Sequence, residues 1–218
     1  MNLEKYIEHT LLKPDATIKE LERFAQEAIE HNFFGICINP VHIKFVKKIL
    51  SGSSVKLITV IGFPLGANTS FTKAFEASNA VELGADELDM VINIGAVKEH
   101  EYKTAQDDIK SVVDAAQDKP VKVIIETDLL KKQEIIEACL ISADAGACFV
   151  KTSTGFVKEG VGARVDNVKL MHETVQPYGI QVKASGGIRT KEQAIVLINA
   201  GASRLGTSSG VNIVSKPA

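Results

Sequence analysis

The 218-residue sequence predicts a single-domain (β/α)8 barrel, an α/β fold of the TIM type, spanning residues 1–218. Three observations lead there. Short apolar runs alternate with segments of helical period along the whole chain. Several runs, such as Val121-Lys122-Val123-Ile124-Ile125, are apolar almost throughout, as strands buried on both faces of a parallel sheet are. Finally, Leu83-Gly84-Ala85-Asp86, Ala145-Gly146-Ala147-Cys148 and Ala200-Gly201-Ala202-Ser203 repeat one helix-to-strand junction, in which glycine ends the helix in the left-handed region. Barrels of this kind commonly need about 250 residues, so neither a lid domain nor long insertions are expected. No Pro/Gly/Ser-rich linker divides the chain. A doubly wound open sheet is the alternative, and it would bind ligands at a switch point in strand order.

Taken in order, the expected strands are Glu8–Leu12, Gly35–Asn39, Lys56–Ile61, Glu87–Ile92, Val121–Ile125, Phe149–Thr152, Gln181–Ala184 and Ser203–Gly206. Amphipathic helices lie between them. Ile18, Leu21, Phe24, Ala25, Ala28 and Ile29 mark the buried face of the first. Phe71, Ala74, Phe75, Ser78 and Val81 mark another, and Val165, Val168, Met171 and Val175 a third. Each stripe follows the 3.6-residue period and is expected to pack on the sheet.

Composition narrows the function classes. Hydrophobic residues make up 45% of the chain and charged residues 24%, the balance of a soluble globular protein. A net charge of −2 supplies no field for nucleic acid. No apolar run approaches the ~20 residues of a membrane span, and the N-terminal residues carry no signal-peptide core. The three cysteines lack CxxC spacing. A cytoplasmic protein with reduced thiols is therefore expected, Cys139 and Cys148 serving as core filler.

The chemistry concentrates at strand ends. In Phe149-Val150-Lys151-Thr152-Ser153-Thr154-Gly155, a lysine sits where an apolar strand meets a polar loop. Taken alone, Lys151 is as well explained by a structural ion pair as by catalysis. Gln181-Val182-Lys183-Ala184-Ser185-Gly186-Gly187 puts Lys183 at the equivalent point one βα unit later. In a closed barrel the two would face each other. At ~6 Å and an effective dielectric of ~20 they repel by roughly 3 kcal/mol, about two pKa units. Such a drop makes a usable fraction of Lys151 neutral, and a neutral amine is what attack on a carbonyl requires. Asp89 lies inside the apolar strand Glu87-Leu88-Asp89-Met90-Val91-Ile92. A buried carboxylate there should face a cation, either as a plain structural pair or as a proton carrier.

Two glycine-rich segments, Ser185-Gly186-Gly187 and Gly206-Thr207-Ser208-Ser209-Gly210, follow the seventh and eighth expected strands. Loops in those positions are the usual phosphate site of the fold. The five histidines show no HxH or HExxH spacing, so no metal site is expected. Nor is there a dinucleotide fingerprint. His31, His42, His100 and His172 are read as solvated.

These segments, together with His9-Thr10-Leu11-Leu12-Lys13-Pro14, Ile36-Cys37-Ile38-Asn39-Pro40 and Lys122-Val123-Ile124-Ile125-Glu126-Thr127, resemble the deoxyribose-phosphate aldolases over almost the whole chain. The resemblance implies a cofactor-free and metal-free Schiff-base aldolase that reversibly cleaves 2-deoxy-D-ribose 5-phosphate to D-glyceraldehyde 3-phosphate and acetaldehyde. It implies that Lys151 forms the imine, Lys183 tunes it, and Asp89 with a water moves protons. It places Gly155, Gly186, Gly187, Arg189, Gly206, Ser208 and Ser209 around the phosphate, with Thr154 and Ser185 also on the substrate side. Cys37 maps near the substrate, not as a nucleophile. A homo-oligomer, dimer or tetramer, is expected. Glu8 stands where many members have Asp, which alters a carboxylate's reach. The C-terminal residues Ile213 to Ala218 offer no aromatic or acidic group for proton transfer. Two other readings compete: a Schiff-base aldolase for another phosphorylated aldol, and a non-catalytic sugar-phosphate-binding barrel.

Overall fold

The structure, a computed structural model, describes residues 1–215. Eight parallel strands close into a barrel in chain order: β1 Ile7–Leu11, β2 Gly35–Ile38, β3 Lys56–Ile61, β4 Glu87–Val91, β5 Val121–Ile124, β6 Phe149–Lys151, β7 Gln181–Ser185 and β8 Ala202–Thr207. The helices are α1 Ile18–Glu30, α2 Ile43–Ile49, α3 Ser70–Glu82, α4 Ile94–Lys98, α5 Tyr102–Ala115, α6 Lys132–Asp144, α7 Val165–Val175, α8 Lys191–Asn199 and α9 Gly210–Val214. Closure through Ile7↔Leu205, Glu8↔Gly206 and His9↔Thr207 excludes the open sheet. No strand end departs from the sequence expectation by more than one residue.

The helix ends carry their own chemistry. Thr17 and Glu20 form a reciprocal capping box that starts α1, satisfying backbone donors that have no partner inside the helix. Gly84, Gly146 and Gly201 adopt φ of 106°, 87° and 112° in the three repeated junctions. At Gly201 an added Cβ would also lie 2.3 Å from the His172 ring.

The main apolar core lies between barrel and helices, where Leu21, Ala25, Ile36, Leu88, Val123, Val150, Val182 and Met171 are buried. The inward faces of the strands are different. Leu12, Cys37, Ile58 and Val60 make a small apolar cluster on one side. Much of the remaining interior is ionic, with Glu8, Asp89, Lys122 and Lys183 fully buried. Barrel interiors are usually filled by branched apolar side chains, so this substitution of charge needs an account of its own.

Three expectations are corrected. Ile18 and Val165, the first residues of α1 and α7, do not pack on the sheet but are 49% and 47% exposed. Helix α3 does not bury Phe71 and Phe75, which are 82% and 69% exposed; it buries Lys73, Ala77 and Ala80. The small residues admit close packing, and the Lys73 ammonium is neutralised by Asp108 at 2.6 Å and by the Val91 carbonyl at 2.9 Å. Its aliphatic stem then serves as core. Cys139 is buried as expected, but Cys148 is exposed, because it sits in the turn leading into β6 and points away from the packed face. The reading of the C-terminal tail falls partly on residues 216–218, outside the described residues.

Candidate active site

Strand alternation sends Glu8, Asp89, Lys122, Lys151 and Lys183 into the barrel. The register pairs Lys151 with Lys183 and Asp89 with Lys122 on neighbouring strands. Asp89 is the hub. Its Oδ2 accepts from Lys151 Nζ at 2.7 Å and from Lys183 Nζ at 2.6 Å. Its Oδ1 accepts from Lys122 Nζ at 2.8 Å. Lys122 also meets Glu87 at 2.7 Å and Glu8 at 3.6 Å, and Lys183 pairs with Glu8. Three ammonium groups thus balance three carboxylates in one buried cluster, the compensation that buried charge requires. One oxygen of Glu8, Oε1, lacks a hydrogen-bond partner.

The balance sets the protonation states. Burial alone would raise the Asp89 carboxyl, but Lys122, Lys151 and Lys183 together hold it well below the ordinary carboxylate range. Burial pulls Lys183 down, yet Asp89 and Glu8 outweigh it and leave Lys183 raised. Lys122 is raised for the same reason, against its own desolvation. Lysine–lysine repulsion is thus only part of the field. Asp89 stands between Lys151 and Lys183, so the simple two-lysine estimate omits the carboxylates that hold Lys183 charged.

Above the cluster a cavity of about 300 Å³ opens at the C-terminal ends of the strands. Lys151 lies on its floor, while Lys122 and Lys183 sit behind it and do not line it. Thr154, Gly155, Ser185, Gly186, Gly187, Arg189, Gly206 and Ser208 all contribute to the wall. Ser209 does not; its N–H donates to Thr207 Oγ1 at 2.9 Å and it stands at the N-terminal boundary of α9 without a side-chain capping bond. Cys37 is buried in the apolar cluster beside the lysines, off the cavity wall, and burial pushes its thiol up to about 11. Gly206 lets the Lys183 stem pass: a Cβ there would sit 3.1 Å from Lys183 Cε. Gly186 and Gly187 take φ of 91° and 73°, and Gly162 packs directly on the Gly186 backbone. The wall therefore presents backbone amides and small residues on one side of the lysine.

Three residues of the site, Lys122, Glu126 and Lys13, carry no assignment from the sequence, and Glu8 is read there only as a carboxylate of altered reach. Lys122 completes the ion cluster, and the charge inside an apolar strand was the available signal. Glu8 supplies a second buried carboxylate. Glu126, at φ 58°, accepts from the backbone and hydroxyl of Thr154 and pins the loop that begins the cavity wall; nothing in its sequence context announces this. Lys13 lines the cavity rim. Among the described residues, no group of three His, Cys, Asp or Glu side chains could hold a metal ion, and no helix is long and apolar enough to cross a membrane.

A closed (β/α)8 barrel with a lysine at the floor of its C-terminal cavity defines an enzyme of the barrel aldolase class. Residues 5–216 match the family described as DeoC/LacD family aldolase. A deoxyribose-phosphate aldolase of Streptococcus gordonii is 55% identical over 214 residues, 98% of this chain and 96% of its own length. One from Clostridium novyi is 54% identical over 215 residues, with the same coverage. Among solved structures, the tetrameric deoxyribose phosphate aldolase from Aeropyrum pernix superposes with a TM-score of 0.90 at 34% identity, covering 97% of this chain and 88% of that one. The chain belongs to the DeoC/LacD aldolase family.

Proposed function

We propose that the protein is a deoxyribose-phosphate aldolase that works through a Schiff base on Lys151, reversibly cleaving 2-deoxy-D-ribose 5-phosphate to D-glyceraldehyde 3-phosphate and acetaldehyde. The observation that carries this is the division of labour among the buried lysines: Lys151 alone of the three in the cluster reaches the cavity, and it does so against the carboxylate of Asp89. The relatives named above act on this sugar, and the glycine-rich wall supplies a phosphate cradle.

The neutral Lys151 amine adds to the C1 aldehyde carbon of the open-chain sugar. The carbonyl oxygen takes up protons and leaves as water, giving an iminium. Removal of the C3 hydroxyl proton then breaks the C2–C3 bond. Its electron pair moves into the iminium to form an enamine, and C3 departs as the aldehyde of glyceraldehyde 3-phosphate. Protonation of C2 and hydrolysis release acetaldehyde and restore the amine. An iminium carries the same charge as the ammonium it replaces, so the balance with Asp89 survives imine formation. Asp89, through a water, is the proton carrier, and Lys183 holds its charge throughout. The iminium is the electron sink, so the reaction calls on no metal or cofactor. Cytoplasmic residence fits the metabolic substrate, and the exposed Phe71 and Phe75 fit a homo-oligomer.

Borohydride reduction in the presence of acetaldehyde, followed by peptide mass mapping, should add a reduced two-carbon group at Lys151. Labelling confined to Lys183 would reverse the assignment. Turnover of a different phosphorylated aldol, with none of deoxyribose 5-phosphate, would favour the rival aldolase reading.

A further inference from the structure

The cavity wall contains a cation that the reaction scheme leaves unused. Lys13 lies just beyond β1, at the rim of the cavity that holds Lys151. Its ammonium meets Glu20 at 2.6 Å, with Asp15 at 3.8 Å. Glu20 already has structural work, since it accepts from the Thr17 N–H and hydroxyl at 2.8 and 2.9 Å and so starts α1.

Barrel topology gives Lys13 a definite place relative to phosphate. The glycine and serine loops follow β7 and β8. Arg189 lies beyond β7, and β8 is hydrogen-bonded to β1 on its other side. A phosphate seated on the Gly186-Gly187 and Gly206-Ser208 loops is therefore flanked by Arg189 on one side and Lys13 on the other. A phosphate monoester carries about −1.5 to −2 charges near neutral pH. Arg189 alone leaves it under-neutralised, and Lys151, the remaining cation on this wall, is committed to Asp89.

We propose that Lys13 is a phosphate-binding, specificity-determining residue, held by Glu20 in the empty site and transferred to the substrate's phosphate on binding. The exchange is feasible because both partners are solvent-exposed to a useful degree; the Lys13 side chain is 44% exposed and Glu20 29%. Exposed pairs contribute little to stability, and a phosphate dianion attracts the ammonium more strongly than a single carboxylate does. Lysine suits this role, being a point charge on a flexible stem with three donors. Glu20 keeps its hold on Thr17 whether or not Lys13 stays, so the helix start does not depend on the exchange.

The proposal rests on the aldolase reading for its substrate, and the test separates the two. Lys13→Met, Lys13→Arg and Glu20→Gln would be compared with the parent protein for turnover of 2-deoxyribose 5-phosphate and of unphosphorylated 2-deoxyribose, and for calorimetric binding of inorganic phosphate. Glutamine preserves the capping box, and thermal melts check folding of each variant. Lys13→Met should raise KM for the phosphorylated sugar at least tenfold more than for the unphosphorylated one, with kcat nearly constant, and should weaken phosphate binding to a similar degree. Lys13→Arg should recover most of the loss. Glu20→Gln should lower KM for the phosphorylated sugar severalfold. Equal losses with both sugars, or unchanged phosphate affinity in Lys13→Met, would overturn the assignment. Lys13-dependent phosphate binding in a parent protein that cleaves neither sugar would instead refute the aldolase reading and leave Lys13 in place.

Discussion

Lys122 illustrates how a side chain can shape the field of a cavity it does not line. It is fully buried, does not line the cavity, and bridges Asp89, Glu87 and Glu8. In Lys122→Met three carboxylates would share two cations. Removing one partner of a buried ionic group costs about 3–5 kcal/mol, so a clear loss of thermal stability is expected. The pH behaviour is the sharper readout. In the parent protein Asp89 is held well below its unfolded value of about 3.9. Its contribution to stability is therefore present above that value and is lost only as pH falls through the depressed one. Lys122→Met should raise the folded value and move acid unfolding to higher pH. An acid-unfolding profile that matches the parent would show that Lys122 is electrostatically idle.

At the scale of elements, the cavity loops meet two demands, room for the lysines and a cradle for the proposed phosphate. Gly206 meets both, lining the wall while leaving space for Lys183. An alanine Cβ there would lie 3.0 Å from Ser185 Cβ and 3.1 Å from Lys183 Cε. Gly162 serves the second: its Cβ would lie 2.5 Å from the Gly186 carbonyl, at φ 79°. Gly206→Ala should therefore lower kcat as well as raise KM, since a misplacement of ~1 Å near the chemistry can cost about 10²-fold. Gly162→Ala should act mainly on KM for the phosphorylated sugar. Steady-state kinetics on both variants decides this, and the reverse pattern would overturn it. The same elements show what the sequence could convey. Strands read well because their apolar runs are short, β-branched and bounded by glycine or polar turns, which separates them from buried helix segments. Lys151, Lys183 and Asp89 stood out because charge inside such runs is costly. Helix α3 misled because its buried face is built from Ala77, Ala80 and a neutralised lysine, whereas its bulkiest apolar residues face solvent. Lys13 and Glu126 could not be recognised from local pattern at all. Their places at the cavity come from chain segments brought together by closure of the barrel.

For the molecule as a whole, the misread face of α3 becomes a statement about assembly. Phe71 and Phe75 are one helical turn apart, so their rings lie side by side on a single exposed face. Paired large apolar side chains in water mark an interaction surface more often than an accident. Burying a phenylalanine is worth about 1.5–3 kcal/mol. In a two-fold symmetric pair each substitution counts twice, so Phe75→Glu should weaken self-association by roughly 10²–10⁴-fold. Light scattering across a dilution series should show the parent as a dimer or larger and Phe75→Glu as a monomer at the same concentration. Catalysis per subunit should persist in that variant, because each described chain contains its own ion cluster and cavity wall. A parent protein that remains monomeric at high concentration would leave the two phenyl rings without this role. A monomeric variant that lost borohydride trapping at Lys151 would mean that the neighbouring subunit completes the site.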